Sequence, residues 1–211
     1  MDDCFRDEVT VMPATDHSIN SAELERLLRK TGALLDGHFR LSSGLHSGSY
    51  VQCARLLEHP DNASRIGVAL ADRLRTLRPD RIVSPALGGV VVGYVVAAAL
   101  GVPFLFTERK DGLMMLRRGF NIDDLPCVII VEDVVTTGKS TMETADVVTN
   151  AGGNVIAFAS ILNRSGSVSP FHLPFEALLS LDLPSHLEGE CPLCQRGVPI
   201  ESPGSRHAKV S

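Results

Sequence analysis

The sequence predicts an α/β protein: a central, mostly parallel sheet flanked by helices, with a small N-terminal strand-loop-strand hood. Three observations carry this. From residue 61 onward, segments with apolar residues at helical spacing alternate with short apolar runs, the order expected of βα units. One run, CVIIVED at 127 to 133, shows no polar alternation, as befits a strand covered on both faces. Glycine and proline punctuate the segments, at Gly32, Pro79, Gly101, Pro103, Gly152 and Gly153.

Taken in order, residues 1 to 16 have no periodicity and read as a loose acidic tail or a short cap. A single domain follows over 17 to 211, divided into hood elements (17 to 60), core (61 to 182) and a C-terminal tail (183 to 211) containing CPLC. Asn20 with Glu23 suits a capping box, Leu24, Leu27 and Leu28 share a helix face, and Gly32 suits its end. FRL at 39 to 41 and YVQCARLL at 50 to 57 read as two short strands around a polar loop. Residues 61 to 77 place Ile66, Ala69, Leu70, Leu74 and Leu77 at helical spacing. A strand at 81 to 84, a PALGG turn, a helix at 90 to 100 and a strand at 103 to 106 come next. Residues 107 to 121 read as a polar, basic connection, too long for an ordinary loop. Beyond the 127 to 133 strand lie a helix at 139 to 151, a strand at 154 to 162 and a last strand at 175 to 181.

The 211 residues carry a net charge of −5, and five acids against one base in residues 1 to 16 account for −4 of it. The body is nearly neutral, which argues against a nucleic-acid partner needing a basic face. The apolar stretch at 90 to 106 is broken by Gly101 and Pro103 and is too short for a membrane span of ~20 residues. The N-terminus carries acids where a signal peptide carries bases, and five irregular cysteines do not make a disulfide framework. A cytoplasmic protein is expected.

Chemistry concentrates in VIIVEDVVTTGKST at 128 to 141. An apolar strand ends in Glu132 and Asp133, passes Val134 and Val135, and enters a turn that opens a helix. Ligands of open α/β sheets bind at such carboxyl ends. Thr136, Thr137, Gly138, Lys139, Ser140 and Thr141 would offer N–H groups and hydroxyls to a phosphate. The carboxylates suit ribose hydroxyls or Mg²⁺-bound water instead. A Walker A loop would require glycine at position 133, which is Asp133. Elsewhere, Gly88 and Gly89 let backbone approach a ligand, and Arg164 follows an apolar strand where a guanidinium can pair with a carboxylate. Arg109, Lys110, Arg117 and Arg118 make the 107 to 120 connection basic. Plainer readings stand beside these: a capped helix, a simple turn, an exposed arginine, a solvated loop.

The 128 to 141 segment resembles the phosphoribosyl-diphosphate (PRPP) motif of type I phosphoribosyltransferases. GHFRLSSGLHSGSYVQ (37 to 52), SPALGGVVVG (84 to 93), TERKDGLMMLRRGF (107 to 120) and ILNRSG (161 to 166) are similar to segments of the orotate phosphoribosyltransferase family, in particular its branch with CPLC and PGSR in the tail. The resemblance implies the type I phosphoribosyltransferase fold and Mg²⁺-dependent transfer of 5-phosphoribosyl from PRPP to orotate, in pyrimidine biosynthesis. It also implies PRPP contacts from Glu132, Asp133, Val134, Val135, Thr136, Thr137, Gly138, Lys139, Ser140, Arg109 and Lys110. Ala86, Leu87, Gly88 and Gly89 would form the pyrophosphate loop, Thr136 and Arg164 would hold orotate, and Arg109, Lys110 and Asp133 would be catalytic. Mg²⁺ would be held mainly through PRPP and water. The family works as a homodimer whose mobile loop, here 107 to 120, reaches the neighbour's site. Its better-known branch has lysines where Ser42 and Gly88 stand, and a further lysine and a histidine where this loop reads GLMMLRR; Arg117 and Arg118 are expected to take over. Transfer to another nucleobase and a non-catalytic PRPP-binding regulator are the competing readings, the first disfavoured by Arg164, the second by the lack of a basic face.

Cys191 and Cys194 have the spacing of half a zinc site. There is no second CxxC, His186 and His207 lack ligand spacing, and no thioredoxin-like context surrounds the pair. No protein-bound metal is assigned. His38 and His46 flank the strand-loop-strand and read as packing or surface residues, with His46 alone a weak candidate for touching a ligand.

Overall fold

The computed structural model describes residues 19 to 41, 43 to 124, 126 to 166 and 169 to 203. The acidic tail at 1 to 16, Ser42, His207 and all but Pro203 of PGSR lie outside the described residues. Among the described residues there are two sheets. Strands β1 (Leu34–Arg40), β2 (His46–Val51) and β9 (Ser185–His186) form a small antiparallel sheet in that order. The main sheet runs β5 (Leu113–Leu116), β4 (Phe104–Lys110), β3 (Arg81–Pro85), β6 (Cys127–Val135), β7 (Asn154–Asn163) and β8 (Phe175–Ser180), all parallel except the edge strand β5. This is the predicted α/β class with its hood.

Alternation in the sheet divides the core. Ile82, Ile129, Val131, Ala157 and Ala159 face helices α1 (Ser21–Lys30), α3 (Pro60–Leu74) and α4 (Gly88–Leu100). Val83, Val128, Ile130 and Phe158 face α5 (Lys139–Asn150) and Phe171. Helix α1 begins as read, with the Asn20 side chain accepting from the Glu23 N–H at 2.9 Å. Helices α3 and α4 cross closely: a Cβ on Gly67 would lie 2.8 Å from the Val95 carbonyl carbon.

Three expectations are corrected. The hood strands occupy 34 to 40 and 46 to 51, and residues 54 to 57 form a one-turn helix, α2 (Ala54–Leu57). Adjacent Leu56 and Leu57 both enter one core, which a strand forbids because its neighbours point to opposite faces. The PALGG turn is shorter than expected, since Gly88 and Gly89 already belong to α4. The long 107 to 121 connection is largely a β-hairpin. Asp111 and Gly112, with φ of 52° and 84°, make a two-residue turn with Lys110 opposite Leu113 and Arg109 opposite Met114. Positive φ at both turn residues matches the right-handed twist of the flanking strands, and Asp-Gly is the dipeptide that tolerates it. The tail also holds a short helix, α6 (Pro192–Gln195).

Candidate active site

The chain leaves β3 through α4 on one face and leaves β6 through α5 on the other, so the direction of winding reverses between these neighbouring strands. A crevice opens at the carboxyl ends of strands at such a point. Here it brings two distant segments together. A Cβ on Gly89 would lie 3.2 Å from Oε1 of Glu132, so the α4 N-terminus is laid on the acidic pair. The Ala86–Leu87 peptide is cis, and Leu87 stands exposed at the crevice rim.

Glu132 is buried and Asp133 half-buried. Desolvation, and then the neighbouring charge of Asp133, push the Glu132 carboxyl up to about 9. Burial also raises Asp133, opposed by its hydrogen bonds, including the Val134 N–H donated to Oδ1 at 2.9 Å. Buried Cys53, its thiol 4.0 Å from the Asp133 carbonyl, is pushed well up by desolvation and by both carboxylates. Hydroxyl donors or a cation placed against this pair would favour its ionised form.

Past Val135, residues Thr136 to Thr141 wrap a niche of about 70 Å³ at the start of α5. Gly138 takes φ 73° there, and a Cβ on it would stand 2.8 Å from the Phe171 ring, so only glycine fits. The residues that follow bring to this niche the N–H groups and hydroxyls that an anion site uses. Every residue read as the phosphate turn lies in this niche.

Beside it is a cavity of about 660 Å³, lined by Asp133, Val134, Thr136, Thr137 and Arg164 from the sheet and by the hood. Thr136 borders both spaces. Arg164 is tied to β6 through its N–H to the Val135 carbonyl at 2.7 Å. Its Nε is buried and has no hydrogen-bond partner among the described residues, and desolvation lowers its pKa. Arg40, Tyr50 and Gln52 also line the cavity, and the sequence reading did not single them out. Their one signal was position within the 37 to 52 hood segment.

The remaining predicted residues lie elsewhere. Arg109 and Lys110 are on the outer end of β4, away from the cavity lining. Arg109 pairs with Glu143 of α5 and donates to the Gly112 carbonyl at 2.7 Å. Arg117 and Arg118 both pair with Glu108, at 3.2 and 3.1 Å. None of the four touches Asp133 in the same chain. His38 and His46, read as packing residues, meet Cys191 and Cys194 behind the hood.

The sheet order, the acidic pair over a glycine-opened helix and the phosphate niche define an enzyme of the type I phosphoribosyltransferase class. No family model matches the chain. It is 49% identical over 186 residues to orotate phosphoribosyltransferase of Thermotoga maritima, covering 88% of this chain and all of that one. The chain belongs to the orotate phosphoribosyltransferase family. Among solved structures, orotate phosphoribosyltransferase from Aeropyrum pernix superposes with a TM-score of 0.61 at 25% identity, over 75% of this chain and 93% of that one. The Mycobacterium tuberculosis enzyme in complex with PRPP shares the fold, with a TM-score of 0.57 at 23% identity over 76% and 96% of the two chains. No helix among the described residues is long and apolar enough to cross a membrane.

Proposed function

We propose that this chain transfers the 5-phosphoribosyl group of PRPP to N1 of orotate, releasing pyrophosphate and orotidine 5′-monophosphate. The observation that carries this reading is the unpartnered Arg164 Nε at the wall of a cavity whose other end is the acidic pair and phosphate niche. A buried N–H of a guanidinium without a partner is costly, and a carboxylate-bearing base both accepts it and balances the charge. A neutral base can accept the N–H but leaves the charge uncompensated. The complex of the tuberculosis relative with PRPP supports the diphosphate donor.

In this mechanism Thr136 to Ser140 hold the 5-phosphate, Glu132 and Asp133 accept from the ribose hydroxyls, and Thr136 and Arg164 orient orotate. Orotate N1 is itself the nucleophile, so no protein nucleophile is required. Backbone at Ala86, Leu87, Gly88 and Gly89 lies against the departing diphosphate, where charge grows in the transition state. Two carboxylates without a third protein ligand nearby among the described residues suit Mg²⁺ bound mostly by diphosphate and water. When bound, that ion supplies charge neutralisation of the leaving group.

Arg109 and Lys110 act from a second copy of the chain. Their distance from the cavity of their own chain supports this, as do Leu87, Val91, Tyr94, Leu113 and Met115, large apolar side chains exposed on α4 and the hairpin. The hairpin then closes the partner's site and excludes water that would hydrolyse PRPP. A spectrophotometric assay with orotate, PRPP and Mg²⁺ tests the reading; absence of orotate consumption at saturating PRPP overturns it.

A further inference from the structure

We propose that His38, His46, Cys191 and Cys194 form a structural, tetrahedral zinc site that fastens the C-terminal segment to the hood. The four ligand atoms lie within 4.8 Å of one another, and His38, His46 and Cys191 are buried. His38 Nε2 is 3.2 Å from His46 Nδ1, 3.5 Å from Cys191 Sγ and 3.7 Å from Cys194 Sγ. His46 Nδ1 is 3.2 Å from Cys194 Sγ. With Zn–N near 2.0–2.1 Å and Zn–S near 2.3 Å, tetrahedral angles put N···N at about 3.3 Å and N···S at about 3.6 Å. His38 Nε2 meets its three neighbours at separations within about 0.1 Å of such edges, and only the His46–Cys194 separation is shorter, by about 0.4 Å, so the four groups surround a point that a small shift of one side chain makes tetrahedral.

Hydrogen bonding alone accounts poorly for the cluster. His38 Nδ1 lies 2.8 Å from the Val198 carbonyl, which can only accept, so Nδ1 carries the proton and Nε2 presents a bare lone pair. Three heteroatoms crowd that single lone pair, and it can take a hydrogen from only one. A cation at the centre satisfies all four groups at once, and the Val198 carbonyl then plays the orienting part that metal-bound imidazoles need. Two sulfurs and two imidazoles favour zinc over hard cations, and four protein ligands leave no open position for substrate. Binding releases the two thiol protons to solvent.

The site has a clear mechanical placement. His38, near the end of β1, and His46, the first residue of β2, flank the hood loop, whose Leu41, Ser43 and Leu45 line the cavity. The tail is already joined there by two hydrogen bonds of 2.8 Å, Arg40 N–H to the Glu201 carbonyl and Glu201 N–H to the His38 carbonyl. Zinc would lock this junction and so fix the hood above the cavity.

The test is cobalt substitution of the full chain, purified under reductant, stripped with chelator and titrated with Co²⁺. We expect one equivalent bound, with the intense visible bands of tetrahedral cobalt and a thiolate charge-transfer band, displaced by Zn²⁺. Cys194→Ser should weaken Co²⁺ binding at least tenfold and diminish the charge-transfer band. A weak octahedral spectrum in the wild type overturns the proposal, as does a tetrahedral spectrum unchanged by Cys194→Ser. The wild-type spectrum decides the matter even where the variant fails to fold. Because it is read without substrates, its failure would leave the proposed transferase activity untouched.

Discussion

Gly88 and Asp133 are in contact across the crevice: a Cβ on Gly88 would stand 2.7 Å from Oδ1 and 2.8 Å from Oδ2 of the carboxylate. Position 88 is therefore closed to any side chain while Asp133 keeps its place. We expect Gly88→Ala to lower kcat/KM at least about tenfold, or ~1.4 kcal/mol of transition-state stabilisation, while the protein still folds. Steady-state kinetics beside a thermal melt check this. The lysine found here in the better-known branch should be tolerated no better, because its Cβ meets the same oxygens.

Arg164→Ala should abolish orotate binding and leave PRPP binding intact, measured separately by calorimetry. Arg164→Lys should not rescue it, since a single ammonium lacks the guanidinium's paired donors. Equal loss of both ligands would mean that the arginine serves the phosphoribosyl side.

Glu132 makes the free protein sensitive to pH. Its folded pKa of about 9 lies above its ordinary value of 4.5, so the folded state binds the proton more tightly than the unfolded state does. The associated stability is complete below about pH 4.5 and is lost as pH rises towards 9. Glu132→Gln should flatten this dependence, keeping the melting temperature several degrees more constant across the window. Ribose hydroxyls and Mg²⁺ favour the ionised form, so binding of Mg-PRPP near neutral pH should release a proton. Calorimetry in buffers of different ionisation enthalpy would detect it.

Gly67→Ala tests the α3–α4 crossing. The added methyl meets the Val95 backbone, which cannot swing aside as a flexible side chain would. A destabilisation of roughly 1–3 kcal/mol is expected. Urea denaturation should show it, with activity at low temperature preserved.

Arg109→Ala and Asp133→Asn should each be inactive as pure proteins. If the hairpin serves the neighbouring subunit, mixing the two through reversible unfolding should restore part of the activity in hybrid dimers. No restoration would place Arg109 in its own chain's site, after release from Glu143.

The β6–α5 half of the site was legible because an unbroken apolar run, an acidic pair and a glycine turn lie next to one another in the chain. Arg164 was legible for the same local reason. The hairpin was missed because Arg109 and Lys110 dominate its polarity, although Asp111-Gly112 carried the turn signal. The contacts of Gly88 with Asp133 and of His38 with Cys191 arise from tertiary packing, the latter across 153 positions. Local spacing offered the cysteines no partner, since His186 and His207 do not stand at ligand spacing. Only the folded sheet shows which histidines arrive.

The hood draws its third strand from near the opposite end of the chain. Ser47 donates to the Pro184 carbonyl at 3.0 Å across a separation of 137 residues, beside the β2–β9 pairing. β9 follows β8 after only residues 181 to 184, so the hood receives its third strand just as the main sheet receives its last. Neither sheet is complete until most of the chain has been made, and a chain ending short of Pro184 would keep the acidic pair and the phosphate turn but lack the strand that closes the hood.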